Sequence, residues 1–156
     1  MPLIKLETCI NAPASVCFDL SRDINMHINS MAGTKEVAIA GITKGLINLN
    51  ETVTWKAKHL GIVMKMTIKI TEMKFPLSFT DEMVTGPFKR LKHQHKFISK
   101  KDSTLMIDEF QFESPLGILG KVANRLFLKK YMVHLLKHRN TAIKQAAETL
   151  YIKAGL

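Results

Sequence analysis

Residues 51–70 read ETVTWKAKHLGIVMKMTIKI, and their pattern decides the architecture. Two stretches alternate polar and apolar side chains on either side of a Leu60-Gly61 dipeptide. Val53, Trp55 and Ala57 share one face of the first stretch, and Met64, Met66, Ile68 and Ile70 share one face of the second. Alternation of this kind marks a half-buried strand, and a two-residue break containing glycine marks a hairpin. With Leu60-Gly61 as the turn, Trp55 stands opposite Met66. The other face carries Thr52, Thr54, Lys56 and Lys58, then Lys65, Thr67 and Lys69. Such a sheet is wet on one side and must cover the other.

The period of two continues outward from this hairpin. Strands are predicted at 36–42, 49–59, 62–72, 77–84, 89–99 and 103–113, with breaks at Gly41–Gly45, Lys74–Pro76, Gly86-Pro87 and Lys101-Asp102. Short connections in succession describe an antiparallel meander. A first strand at 3–10 sets Ile4, Leu6, Thr8 and Ile10 on one face. Asn11 can cap a following helix whose first turn suits Pro13, and a second short helix runs to about Gly33. The cover for the sheet comes last. Residues 119–150 place Leu119, Val122, Ala123, Leu126, Phe127, Val133, Leu136, Ile143, Ala147 and Leu150 at helical spacing without a proline. Such a helix spans roughly 45–50 Å at about 1.5 Å per residue, enough to cross a concave sheet. The fold class is α+β: a curved antiparallel sheet of about seven strands wrapped around a long C-terminal helix, with two short helices after the first strand.

The 156 residues suit one domain, 1–156, large enough to bury a core without staples. A hydrophobic share of 46% with 23% charged residues excludes disorder. Two cysteines, Cys9 and Cys17, are too few for a disulfide framework and read as free buried thiols of a reducing compartment. The N-terminus lacks the pattern of a signal peptide, and no window approaches the roughly 20 apolar residues of a membrane span. The expected location is the cytoplasm.

The apolar face of the meander also carries Glu51, His59, Asp81, His93, His95 and Asp108. A two-residue turn at Lys101-Asp102 puts His95 opposite Asp108 and His93 opposite Phe110. A turn near Lys74 sets Met66 beside Asp81, giving a row Trp55–Met66–Asp81–His93. Buried charges must be paired or wet. These groups therefore pin strand register, orient the polar end of a ligand in an apolar pocket, or do both. His93 and His95 with a carboxylate match a facial triad, but two histidines alone are a weak signal, and no metal or cofactor is assigned. General acid–base catalysis by His95 and Asp108, with His93 beside them, is the enzymatic alternative. The candidate ligand-binding set is Glu51, Trp55, His59, Met64, Met66, Asp81, His93, His95, Phe97, Asp108 and Phe110. Methionines there suit an adaptable ligand.

The formal net charge of +10 favours anionic surfaces. Lys121, Arg125, Lys129, Lys130, Lys137, Arg139 and Lys144 crowd the last helix ahead of Glu148. They read as a solvated helix back, or as a face for anionic lipid. Nucleic acid ranks last, because no recognition motif and little aromatic interleaving accompany the charge.

Glu51-x-Val53-x-Trp55-x-Ala57-x-His59, Asp81, Gly86-Pro87-Phe88, His93-x-His95-x-Phe97, Asp108, Pro115-Leu116-Gly117 and Arg139-Asn140 together carry a resemblance to a known group. Over nearly its whole length the chain resembles the START-like, or SRPBCC, superfamily, and within it the bacterial ligand-binding SRPBCC domain proteins. The resemblance implies a helix-grip fold and a cavity, and carries no established catalytic residues. Leu91 stands where a large aromatic is expected. The expected function is binding or carriage of a hydrophobic small molecule such as a lipid, isoprenoid or polyketide. The alternative is a cyclase-, dehydratase- or hydrolase-like enzyme in the same cavity.

Overall fold

A computed structural model describes residues 2–114 and 125–153. Strand β1 (Leu3–Ile10) is followed by helices α1 (Ala14–Ser21) and α2 (Ile24–Ser30) and a 3-10 turn, Ala32–Thr34. Six strands come next: β2 (Val37–Gly41), β3 (Thr52–His59), β4 (Ile62–Lys74), β5 (Ser78–Thr85), β6 (Arg90–Ser99) and β7 (Thr104–Glu113). Helix α3 (Arg125–Lys153) closes the described chain. The seven strands form one antiparallel sheet in the order β1-β7-β6-β5-β4-β3-β2. The predicted α+β helix-grip architecture is the observed one. The start of the predicted last helix, with Leu119, Val122, Ala123 and Lys121, and the Pro115-Leu116-Gly117 motif lie outside the described residues.

The β3–β4 hairpin closes on Leu60 and Gly61, both at positive φ (53° and 81°), and Trp55 pairs with Met66 as the spacing required. Two positive φ values in a two-residue loop let the turn follow the right-handed twist of its strands. Glycine accepts this without cost, whereas leucine is an unusual occupant. The β6–β7 hairpin likewise sets His95 opposite Asp108 and His93 opposite Phe110.

The β4–β5 register differs from expectation. Ile70, not Met66, faces Asp81, and Lys74 pairs with Ser78. Strand β4 runs two residues further than the alternation implied, because the chain reverses around Phe75-Pro76 with Leu77 N–H donating to the Lys74 carbonyl. Irregularities at Thr67/Ile68 and Ile70/Glu72 shift the ladder again. Counting from a turn assumed at Lys74 cannot see either effect. Leu77, the first residue of the predicted 77–84 strand, sits exposed in that reversal.

Asn11 does not cap α1. Pro13 occupies the cap position, while the Asn11 N–H donates to Glu148 of α3. Asp23 caps α2 through Met26 N–H. Cys17 is buried as expected, but Cys9 is exposed on β1, where it belongs to the outward-facing set of the alternation.

The apolar interior has two parts. One gathers Phe18 of α1, Phe79, Phe97, Met106 and, from the C-terminal half of α3, Ile143 and Ala147. The other joins Ile4, Leu91, Phe110, Phe112 and Leu136. Phe18 is fully buried and meets Phe75 and Phe79 edge-on at 5.0 and 5.2 Å between ring centroids. The distal half of α3 is thus seated on a filled core, while its proximal half faces the cavity described below. Phe18→Ala is expected to cost about 3–5 kcal/mol, measured as a lowered urea midpoint.

Candidate functional site

Period-two geometry sends His93 and His95 to the same concave face of β6, with Asp81 of β5 and Asp108 of β7 on either side. The hydrogen bonds run diagonally rather than straight across. His93 Nε2 lies 2.7 Å from Asp108 Oδ1, and His95 Nε2 lies 2.8 Å from Asp81 Oδ2. The directly opposed pair that sequence spacing selects, His95 and Asp108, approaches only to 3.3 Å through His95 Nδ1 and makes no hydrogen bond. Register fixes which strands meet; side-chain reach, with diagonal neighbours also in range, chooses the partners.

Helix α3 completes the network. Asn140 donates from Nδ2 to Asp108 Oδ2 at 2.7 Å. Arg139 stands 3.6 Å from Asp108 Oδ1, donates to the Asn140 side-chain oxygen, and reaches the Ser21 carbonyl of α1 at 3.2 Å. The sequence groups Arg139 with the solvated lysines of the helix back. It is instead buried, because a carboxylate with no solvent access at Asp108 needs a compensating cation. Lys144, half-exposed, is tied to the Cys9 carbonyl and to Glu148. The exposed cationic set shrinks to Lys129, Lys130 and Lys137 among the described residues whose side chains are placed.

Burial pushes the Asp108 carboxyl upward, but the hydrogen bond to His93, the close approach of His95 and the Arg139 charge hold it well below the usual carboxylate range. Asp81 is lowered in the same way, burial being outweighed by His95. His93 is pushed down to about 4, first by burial and then by its neighbour His95, so it is neutral at pH 7. An ionised Asp108 can only accept, so His93 Nε2 carries the proton and its Nδ1 keeps a lone pair.

These groups floor one side of a cavity of about 460 Å³ beneath the proximal half of α3. Its walls include Trp55, Met64, Met66, Leu91, Phe110, Met132 and Leu136, and its polar lining includes Asp81, His93 and His95. A second polar group lies across the sheet. Glu36, buried at the entry to β2, bonds His27 Nε2 at 2.8 Å, and His27 packs on Trp55 at 4.3 Å between ring centroids. His59 Nδ1 and the Tyr131 hydroxyl are 2.8 Å apart. His27, Glu36, His59 and Tyr131 all line the cavity.

Of the candidate residues, Trp55, His59, Met64, Met66, Asp81, His93, His95 and Phe110 reach the cavity. Asp108 stands behind the histidines. Phe97 packs against Phe18 and Phe79 beneath α1, away from the cavity. Glu51 lies in the turn before β3, where it accepts from Asn48 N–H. Glu36, His27 and Tyr131 are not singled out by sequence. Glu36 was findable, since it continues the inward-facing set of Ala38, which pairs with Trp55; the other two come from helices whose facing was unreadable alone. Gly86 belongs to the motif for a steric reason, as a β-carbon there would stand 2.6 Å from Met83 Sδ and 2.9 Å from Met66 Cγ.

Glu36 gives a pH test. Burial raises its carboxyl, but the paired His27 pulls the net value below the ordinary range. A depressed acid stabilises the fold above its unfolded pKa, and that contribution is lost as pH falls through the folded value. Glu36→Gln is therefore expected to cost about 1.5–3 kcal/mol at pH 7, with the difference from wild type shrinking below about pH 4.3 in urea denaturation. A constant difference across that range would contradict the proposed role of the Glu36–His27 hydrogen bond.

No family model matches the chain, and no curated protein does. Solved structures do. A protein from Thermus thermophilus superposes with a TM-score of 0.73 at 17% identity, covering 94% of this chain and 99% of that one. A START superfamily protein from Mycobacterium smegmatis gives a TM-score of 0.72 at 15% identity, covering 95% and 98%. A ginseng (Panax ginseng) major latex-like protein gives 0.66 at 16% identity, covering 94% and 97%.

Proposed function

Starting from a fold that is START-like, we propose that this protein binds or carries a hydrophobic small molecule of the lipid, isoprenoid or polyketide kind. One observation carries the reading: a largely apolar cavity of about 460 Å³ with polar groups gathered at two separate places on its wall. That volume is within the common range for small-molecule sites, and few, placed polar groups in an apolar lining are their usual chemistry. An ionised Asp81 accepts but cannot donate, so it suits a hydroxyl or amine on the ligand. The methionines on the wall can repack around different apolar bodies. A cyclase-, dehydratase- or hydrolase-like activity in the same cavity would rest on His93, whose proton is held by Asp108, rather than on His95 as the spacing suggested.

Two expected outcomes test the reading. Purified protein examined by native mass spectrometry or solvent extraction should carry a hydrophobic molecule, and a matching ligand should change the emission of Trp55, the single tryptophan. Ala57→Trp should block the cavity it lines, weakening ligand binding at least about tenfold, or by ~1.4 kcal/mol, without unfolding. Protein that arrives empty and ignores a lipid and isoprenoid panel would sink the proposal.

An anionic membrane surface is the proposed place of exchange. No described helix is long and apolar enough to cross a membrane. The β3–β4 turn, however, exposes Leu60, Ile62 and Val63 by more than half each, and Leu60 and Ile62 belong to the cavity rim with half-exposed Phe127. Lys58 and Lys65 stand behind this tip, and Lys129 and Lys130 follow Phe127 on α3. An apolar tip with cations behind it suits a bilayer interface. Wild type should sediment with phosphatidylglycerol vesicles more than with phosphatidylcholine vesicles, and the double substitution Leu60→Asp, Ile62→Asp should abolish the difference. Retained binding in that variant would exclude the hairpin as the docking element.

A further inference from the structure

Three features of the Asp81/His93/His95 group bear on a role beyond holding register or contacting an apolar ligand. First, donor atoms from all three side chains lie within 4.8 Å of one another, in buried residues that open on the cavity. Second, Asp81 Oδ2 and His95 Nε2 are 2.8 Å apart. That is close to the separation of two neighbouring ligands on one ion with bonds of about 2.0–2.2 Å. Third, His95 Nδ1 is buried without a hydrogen-bond partner among the described residues, although Asp108 Oδ1 is only 3.3 Å away.

We propose that Asp81 Oδ2, His95 Nε2 and the free nitrogen of His93 form a binding site for a divalent first-row transition ion, with its remaining positions open to the cavity. Two imidazoles and one carboxylate are the ligand set such ions favour, with Zn²⁺ and Fe²⁺ the expected classes. Asp108 supplies what lies behind the ligands. It accepts from His93 Nε2, which leaves the lone pair on Nδ1 of that ring as the one available to an ion. When His95 Nε2 gives up its proton to bind the ion, the proton of the neutral ring resides on Nδ1, facing Asp108, and the orphaned atom gains its partner. A carboxylate behind a metal-bound histidine fixes its tautomer and orientation. Here one carboxylate serves both rings, itself anchored by Asn140 and Arg139.

Arg139 is the one buried lysine or arginine side chain beside the network among the described residues, 3.6 Å from Asp108 rather than at Asp81. This inference is independent of the hydrophobic ligand and is measured on delipidated, chelator-treated protein.

Exposed His134 and His138 sit one turn apart on α3 and could capture an ion adventitiously, so the test begins from a His134→Ala, His138→Ala background. Titration with Co²⁺ is expected to give saturable one-to-one binding with visible d–d absorption of a site containing nitrogen and oxygen ligands. Asp81→Asn and His93→Gln should each weaken binding by at least about tenfold, while Glu72→Gln, exposed on β4 away from the cavity, should leave it unchanged. Far-UV circular dichroism identifies any variant that fails to fold, and His93→Gln preserves the Asp81–His95 pair if Asp81→Asn does not fold. Zn²⁺ should also raise the melting temperature of the background protein, because an ion bound only by the folded state stabilises it. Absence of Co²⁺ binding, or binding that survives both substitutions in folded protein, would overturn the site.

Discussion

Asp108 is the group on which the arrangement depends. A carboxylate with no solvent access is held on β7 by His93 from β6, by Asn140 from α3 and by the nearby Arg139, which also reaches α1. Stripping a carboxylate of water costs several kcal/mol unless its oxygens are met by donors and cations. Meeting them here requires the sheet, α1 and α3 to adopt one relative placement. A greasy interface alone would tolerate sliding of the helix over the sheet; a buried charge with directional partners on both β6 and α3 does not. The polar network therefore positions the helix, and the helix position defines the cavity.

Much of this was readable before any coordinates. Alternation located every strand to within a few residues, and the two glycine- or aspartate-containing turns fixed the β3–β4 and β6–β7 registers, because a two-residue loop leaves no freedom. The β4–β5 register failed where irregularities and a proline reversal broke the counting. The inward-facing acids and imidazoles were visible as exceptions to an apolar face. Their pairing was not, since opposite and diagonal neighbours are both within side-chain reach and only three-dimensional packing selects between them. Arg139 was misplaced for a related reason. On a helix rich in lysine, nothing local distinguishes the one cation that turns inward to meet Asp108, because that partner sits on a strand well back in the chain. Glu51 and Phe97 show the reverse case, in which a residue shares the right face but stands beyond the end of the cavity.

The apolar rim and the polar floor meet different physical demands. Leu60 at positive φ in an exposed turn is unfavourable both sterically and in hydration, and a glycine or asparagine would relieve both. Local strain kept at an exposed apolar tip next to a cavity mouth is the kind of departure that accompanies function rather than folding. The floor, by contrast, is buried, and its polar groups are tolerated because nearly all of them find partners among themselves.

The division of α3 has a dynamic consequence. Ile143 and Ala147 anchor its distal turns in solid packing, whereas Phe127, Leu128, Tyr131 and Met132 lean over hollow space. The free energy required to fray a segment follows the contacts it loses, so the proximal turns can open by local unfolding while the rest of the molecule stays intact. A cargo filling the hollow would supply the missing contacts and tighten those turns. If the proposed cargo binds there, its loading and the order of these turns would be thermodynamically coupled.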